Sequence, residues 1–568
     1  MKRLIKLVAI NARFVHSCLA LFYIRNEIEK KCESFQIDIF QLTINDNYYE
    51  ILLLLTEENP EYIFFSAAIW NTILVERLIG DIISCLPDCQ IVIGGPQAEV
   101  LADSIGFISA CTIVSGDIEA VGGDFFIDLE KGDLAEHYGG SFLKKKNIHY
   151  GYPYRDSDFD SYLANKNIYY ESSRGCPFSC TYCLSAAEHG VYHKEMVDVE
   201  KELLDILSHR PKVVRFVDRT FNDRPDRALA IWKFLAAHGG GTRFHFEIAP
   251  NYFNEEIFAF LATVAPGRFQ FELGIQSTHP DTLTGINRLI DPAKAHMIIS
   301  RLAAMNTIHL HVDLILGLPH ETEESFADSF RDVFAMAPHY IQMGLLKMLP
   351  GAPICKKSGE LGYIYCRQPP YSVLATSWLD HSSLSGLYWF CECVEKFVNN
   401  RYFVSFWAYL RKIDSDIFLL FKRLLVICRE SGFFQLAATQ ELMCKKLVEL
   451  VADSEDKDLI IEILRFDWLR CGFRFLPDVL QLAVEDSSPA QIRSALYSRL
   501  PASYKDVFNS SDRNYFFRKS FFLYFSKQAI VELGFVAEGE KTCLCFLQEK
   551  ETGLFSFNRV VVLPTVST

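Results

Sequence analysis

Short apolar runs at Leu4–Asn11, Phe35–Gln41, Tyr62–Ser66, Gln90–Gly94 and Thr112–Ser115 alternate with longer amphipathic stretches such as Leu19–Lys31 and Asn71–Ser84. Runs apolar on both faces, separated by helical periodicity, predict the strands of a parallel sheet. Five such strands predict a flavodoxin-like, doubly wound α/β domain over residues 1–135, which binds ligands beyond the carboxyl ends of its strands. Glycines stand at those ends, Gly94 and Gly95 after the fourth run and Gly116 after the fifth. Glycine there serves either a tight turn or the close approach of backbone to a ligand.

Residues 136–165 change composition, with Tyr138-Gly-Gly140, Lys144-Lys-Lys146 and Gly151-Tyr-Pro-Tyr154, and read as a connector. The alternation then restarts over 166–370. Strands are predicted at Ile168–Ser173, Val213–Val217, Thr242–Ile248, Phe269–Ile275, His309–Leu316 and Tyr340–Met348. Helical stretches lie between them, such as Asp226–His238 and Lys294–Met305. Six rounds are two short of a closed eight-fold barrel and predict one with an open side. Over 371–568 the period becomes helical, as in Phe418–Ile427 and Gln440–Ala452. A terminal hairpin is predicted from Lys541–Leu547 and Phe555–Val562, and Tyr402–Tyr409 reads as aromatic core.

At 568 residues, with 50% apolar and 23% charged positions, the chain is globular with ample core. A formal charge of −14 argues against nonspecific nucleic-acid binding, which needs excess Lys and Arg. The run Met1–Asn11 is too short to span a bilayer and no small-residue cleavage site follows it, so it reads as a buried first strand. Seventeen cysteines in that context predict a reducing cytoplasm, not a disulfide framework.

The sharpest chemistry lies in Arg174-Gly-Cys-Pro-Phe-Ser-Cys-Thr-Tyr-Cys183, just after the first strand of the second unit. Cys176, Cys180 and Cys183 follow C-x-x-x-C-x-x-C spacing. Three thiolates this close can hold three irons of a cubane cluster and leave the fourth open to a ligand. A structural zinc site wants four N/S ligands, and no second knuckle follows at zinc-ribbon spacing. Cysteine also serves as a small buried hydrophobe.

This segment, with its Gly before the first Cys and Tyr182 before the last, resembles the cluster motif of the radical S-adenosylmethionine (SAM) enzymes. The strand-end phrases Phe216–Asn222, Phe244–Pro250, Phe271–Ser277 and His311–Thr322 extend that resemblance over residues 1–370 to the cobalamin-dependent class. The resemblance implies a flavodoxin-like cobalamin-binding-type domain, a partial (β/α)6 radical SAM barrel and a mainly helical C-terminal domain of a kind without assigned function. It implies that Cys176, Cys180 and Cys183 ligate a [4Fe-4S] cluster whose open iron is chelated by SAM. Tyr182, Asp218, Thr220, Glu247, Gln276 and Ser277 become candidates for holding SAM, and Asp313 reads instead as a brace of its turn. For each of these, satisfying loop backbone is an equal alternative.

For cobalamin the candidates are Gly94, Gly95, Gly116 and His16, although the loop Asn11–Cys18 lacks the D-x-H-x-x-G pattern of methionine-synthase-like domains. His16 equally suits capping or packing. The resemblance further implies a flavodoxin- or ferredoxin-type electron donor and a substrate that the sequence does not mark. The expected reaction is methylation of an unactivated carbon. Alternatives are a non-methylating radical rearrangement or cyclisation, a methylthiotransferase acting on RNA or protein, and a non-catalytic cobalamin or redox sensor. The methylthiotransferase reading needs three cluster-binding cysteines in the first domain, from among Cys18, Cys32, Cys85, Cys89 and Cys111.

Overall fold

The computed structural model describes residues 2–104, 111–145, 149–187, 189–413, 415–473, 475–481, 518–537, 539–550, 553–555 and 557–563. Lys146 of the connector and residues 482–517 of the expected helical domain lie outside them.

The first unit is a six-stranded, wholly parallel sheet in the order β2-β1-β3-β4-β5-β6. Its strands are β1 (Arg3–Asn11), β2 (Phe35–Thr43), β3 (Tyr62–Ser66), β4 (Gln90–Gly94), β5 (Cys111–Gly116) and β6 (His137–Gly140). Helices such as Ala20–Lys31 and Thr72–Cys85 cover both faces, so Ile5, Leu7, Val8 and Ile10 of β1 are all buried. The order reverses between β1 and β3, and the loops beyond the carboxyl ends open a crevice there.

The α/β class therefore stands, with one correction. β6 was read as connector because His137-Tyr-Gly-Gly140 lacks apolar periodicity. It is an edge strand paired to β5, and its one buried side chain is Tyr138, which packs edge-on to Phe125 at 5.1 Å. Gly116 explains the pairing: its φ is +83°, and a Cβ would stand 1.9 Å from the Gly140 oxygen.

After β6 the chain wraps back over the first unit. Asp158 is buried and accepts from both terminal nitrogens of Arg25 at 2.6 and 2.8 Å, strapping the wrap to helix Ala20–Lys31. A second parallel sheet follows in the order β14-β13-β12-β11-β10-β7. It comprises β7 (Ile168–Tyr170), β10 (Val213–Phe216), β11 (Arg243–Ile248), β12 (Phe269–Gln276), β13 (His309–Leu316) and β14 (Tyr340–Leu345). It is an open, six-stranded partial barrel. Between β7 and β10 the chain forms an antiparallel hairpin, β8 (Ser173–Cys176) and β9 (Gly190–His193), which carries the cysteine loop.

In the C-terminal region helix His381–Phe397 packs on β14 and β13; Ile417–Glu430 packs on it and on the barrel helix Glu323–Ala335, Gln440–Leu450 packs on Ile417–Glu430, and Val404–Lys412 pairs with Lys457–Arg470. Phe330 of the barrel meets Phe390 edge-on at 4.9 Å, and Trp407 stacks on Phe421 at 4.9 Å. Each fully buried aromatic of this kind contributes roughly 1.5–3 kcal/mol, so the region is anchored to the barrel as firmly as a core. A short antiparallel pair, β15 (Ile364–Tyr365) and β16 (Val373–Ala375), follows β14, and three antiparallel strands, β17 (Ser520–Ser526), β18 (Lys541–Lys550) and β19 (Asn558–Leu563), complete the region, one more than the predicted hairpin. No helix among the described residues is long and apolar enough to cross a membrane.

Candidate active site

The barrel strands β12 and β13 alternate strictly. Phe269, Phe271, Leu273 and Ile275 turn to the outer helices, while Gln270, Glu272, Gly274 and Gln276 turn inward. On β13 the inward set includes His309, His311 and Asp313. A sheet covered by helices is ordinarily apolar on both faces, so this alternation marks a polar lumen. The lumen opens at the carboxyl ends of the strands into a cavity of about 400 Å³.

The cysteine loop forms one wall of that cavity. Cys176, Cys180 and Cys183 gather with Phe178, Tyr182, Ala249 and Tyr252 in one small cluster. Gly175 makes the hairpin possible, since its φ is +107° and a Cβ would stand 2.2 Å from the Gly190 oxygen. Burial pushes the Cys176 thiol up, against help from the Phe178 N–H and the Thr220 hydroxyl. Arg288 brings positive charge, its Nη1 lying 3.6 Å from Cys180 Sγ. All seventeen cysteines are free of disulfides. Three thiols on one loop, an apolar surround and a guanidinium to offset thiolate charge fit an iron–sulfur cluster with one iron left open.

The SAM candidates divide. Tyr182, Thr220, Glu247 and Gln276 line the cavity. Thr220 Oγ1 lies 3.6 Å from Cys176 Sγ. The Glu247 side chain is exposed to the cavity although protein surrounds it. Burial and the neighbouring Glu272 carboxylate raise its pKa. Gln276 Oε1 is buried with no partner. Asp218 and Ser277 are turned away from the cavity. Asp218 is buried and accepts from the Ser172 N–H at 3.1 Å, Ser172 Oγ at 2.5 Å and Ser173 Oγ at 2.6 Å. It braces the entry to the hairpin. Ser277 is likewise spent, on Ser329 Oγ at 3.2 Å and the His279 N–H.

Asp313 reverses its sequence reading: it lines the cavity and its Oδ1 has no partner. Burial, reinforced by the Glu272 and Glu247 carboxylates, holds its pKa well above the usual carboxylate range. Arg215, Arg219, His245, Glu272 and Arg288 were missed. The signal for Glu272 was its every-second-position spacing with Gln270 and Gln276. Deeper in the lumen His245 Nε2 lies 2.9 Å from Glu272 Oε2 and 3.2 Å from Arg215 Nη2. Burial keeps this imidazole neutral, so its Nε2–H donates to an ionised Glu272, whose pKa that bond lowers.

A second, smaller cavity of about 150 Å³ lies beyond the carboxyl ends of the first sheet, lined by Gly94, Gly95 and Gly116. Its walls are apolar (Leu21, Phe64, Val92 and Val114) and its rim carries Asp117, Glu119 and Arg174. That volume admits one flat ring system but not a macrocycle. His16 does not line it. Its Nδ1 is 2.5 Å from the Tyr169 hydroxyl, and Tyr169 lines the cluster cavity, so His16 joins the two units.

Residues 170–333 match the model of the radical SAM superfamily, and residues 359–534 match that of a protein of unknown function, DUF4080. The bacteriochlorophyllide d C-12(1)-methyltransferase of Chlorobaculum tepidum is 22% identical over 279 residues, 46% of this chain and 58% of that protein. The cobalamin-dependent radical SAM methyltransferase TokK of Streptomyces tokunonensis is 28% identical over 193 residues, 33% of this chain and 28% of that protein. The chain thus spans little more than half of the first relative and under a third of the second. Among solved structures, the cobalamin-dependent SAM radical enzyme OxsB with aqua-cobalamin bound superposes with a TM-score of 0.55 at 12% identity. The match covers 82% of this chain and 80% of that one, and the likeness is one of fold. The chain therefore carries a radical SAM domain at residues 170–333, joined to a DUF4080 region at 359–534.

Proposed function

We propose that this protein is a cobalamin-dependent radical SAM enzyme that methylates an unactivated carbon. One observation carries the reading: the first-sheet cavity and the cluster cavity are neighbours joined through one strand. Arg174 on β8 lines the first, and Cys176, two residues on, lines the second. Cys176, Cys180 and Cys183 hold the [4Fe-4S] cluster, with Arg288 offsetting their charge. Tyr182, Thr220, Glu247, Gln276, Asp313 and Arg288 surround SAM. The residues lining the first-sheet cavity, Gly94, Gly95 and Gly116 among them, would hold part of the cobalamin. When bound, the cluster and SAM supply a 5′-deoxyadenosyl radical, and cobalamin supplies a transferable methyl group. The chain's own part is to enclose the radical, exclude water and aim it.

The relatives' methyltransferase names support this choice over rearrangement. The methylthiotransferase reading needs three first-domain cysteines at one crevice, and the described residues do not gather them. Cys32 is buried against the Phe126 carbonyl, and Cys89 and Cys111 are buried near the amino ends of β4 and β5, away from the crevice. The unpaired thiols suit a reducing cytoplasm with a flavodoxin- or ferredoxin-type donor.

The test is anaerobic turnover of reconstituted protein with methyl-labelled SAM, hydroxocobalamin, a reductant and host-cell extract. Methyl transfer requires label in a new product together with both S-adenosylhomocysteine and 5′-deoxyadenosine. Deoxyadenosine without S-adenosylhomocysteine would leave the rearrangement reading, and neither product would remove catalysis altogether.

A further inference from the structure

We propose that the protein has a second ligand site, for a phosphate-type oxyanion, in the cavity at the amino-terminal end of the barrel. This end is opposite to the cysteines. Arg243 and His309 open β11 and β13, whereas Glu247, Gln276 and Asp313 lie further along their strands towards the cluster. The cavity has a volume of about 290 Å³ and is lined by Arg243, Arg268, Gln270 and His309, with backbone at Gly267 and Gly553. Among the described residues no carboxylate lines it.

Its cations are under-used. Arg243 has no ion pair among the described residues, and Arg268 makes only a long 3.4 Å bond from Nη1 to the Thr242 carbonyl. Behind them Arg401 is largely buried, and its Nε has no partner. His309 reports the field that results. Burial pushes its pKa down to about 3, and His311, Arg401, Arg243 and His245 all act in the same direction. Two guanidinium forks, a side-chain amide and an imidazole form a donor set with acceptor capacity only at the neutral His and Gln. That set matches a tetrahedral oxyanion with several oxygens better than a carboxylate, which one fork satisfies.

The wall at Gly553 and Leu554 belongs to the turn between β18 and β19. The next residue, Phe555, stands edge-on to His309 at 5.3 Å and beneath Arg401, 4.7 Å from its guanidinium carbon. An oxyanion here would pin the C-terminal sheet to the floor of the barrel. It would couple β18 and β19, which lie beyond the DUF4080 match at 359–534, to the barrel strands without touching SAM.

The experiment is calorimetric titration of the full-length, cluster-reconstituted protein with inorganic phosphate and with glycerol 3-phosphate, against chloride at matched ionic strength. Saturable one-to-one binding is expected, with a raised unfolding temperature. Arg243→Gln and Arg268→Gln should each weaken it, and together by about tenfold or more, while iron content and SAM cleavage stay as in the parent. Tighter binding of the ester identifies a phosphorylated metabolite as ligand, and tighter or equal binding of inorganic phosphate identifies the free ion. Absence of saturable heat from both anions overturns the site. So does binding that survives in both single variants and the folded double variant.

Discussion

Arg174, two residues before the first cluster cysteine, reaches across the chain to Glu119, its Nη1 and Nη2 lying 3.2 and 3.3 Å from the two carboxylate oxygens. The same guanidinium meets Glu171 at 2.7 Å and Asp117 at 3.2 Å, and its carbon lies 4.2 Å from the Tyr150 ring centre. Three carboxylates outweigh its burial and raise its pKa, whereas burial outweighs the guanidinium at Glu119 and raises that carboxyl as well. The pair is thus costly to desolvate and costlier to break.

Arg174→Ala should lower stability by about 3–5 kcal/mol, because it strands Glu119 without its cation. Arg174→Ala with Glu119→Gln should recover part of that loss, which a double-mutant cycle measures. If Arg174 also aligns the cluster strand with the first unit, Arg174→Lys should fold with its irons yet release deoxyadenosine more slowly. Unchanged turnover in a fully metallated Lys variant would remove the alignment role.

Much of this was legible in the chain. The apolar runs at Leu4–Asn11 and His309–Leu316 mark both parallel sheets because burial on a face leaves a periodic trace, and the cysteine spacing marks the loop that walls the larger cavity. What failed was direction and edge. Asp218 stands at a strand end as Asp313 does within a strand, yet Asp218 is consumed by Ser172 and Ser173 while Asp313 faces open space. Which way a polar side chain turns depends on register, and a strand-end phrase does not encode it. β6 leaves too short a trace to read, because Tyr138 is its one buried side chain and the rest of the strand is edge pairing.

Replacing Cys176, Cys180 and Cys183 together by Ala should remove the brown colour and the roughly four irons per chain expected of one cluster. SAM cleavage should go with them. Iron retained at the parental level, measured by ferrozine assay on anaerobic protein, would reassign the ligands.

The two aspartates separate binding from bracing. Asp313→Ala and Gln276→Ala remove unpartnered polar atoms of two residues that line the cavity, so each should weaken SAM binding by about tenfold, the worth of one hydrogen bond to a charged group. Asp218→Asn should instead lower the unfolding temperature and leave SAM affinity close to the parent's, because Oδ1 takes both hydroxyls and Oδ2 takes the Ser172 N–H, so an amide nitrogen in either place loses an acceptor. Equilibrium dialysis with labelled SAM distinguishes them. An affinity loss confined to Asp218→Asn would restore the sequence reading and reject the structural one.

Glu321 supplies a pH signature in the turn after β13. It is fully buried; Oε2 accepts from the Gly317 N–H at 2.7 Å, and Oε1 has no partner. Burial pushes its pKa from 4.5 up to about 8, against the weaker pull of the Gly317 and Leu318 N–H groups. The folded state therefore holds a proton that the unfolded chain has released. Its stabilising contribution is complete below about pH 4.5, falls as pH rises through the interval to about 8, and is then spent. Within that window the parent should lose roughly 1.4 kcal/mol of stability per pH unit from this group. Glu321→Gln has no proton to lose and keeps an oxygen for Gly317. It should therefore gain on the parent steadily between about pH 5.5 and 7.5, as read from paired denaturant midpoints. Parallel pH profiles for the two proteins would show that Glu321 is ionised in the fold and that its surroundings hold a cation for it.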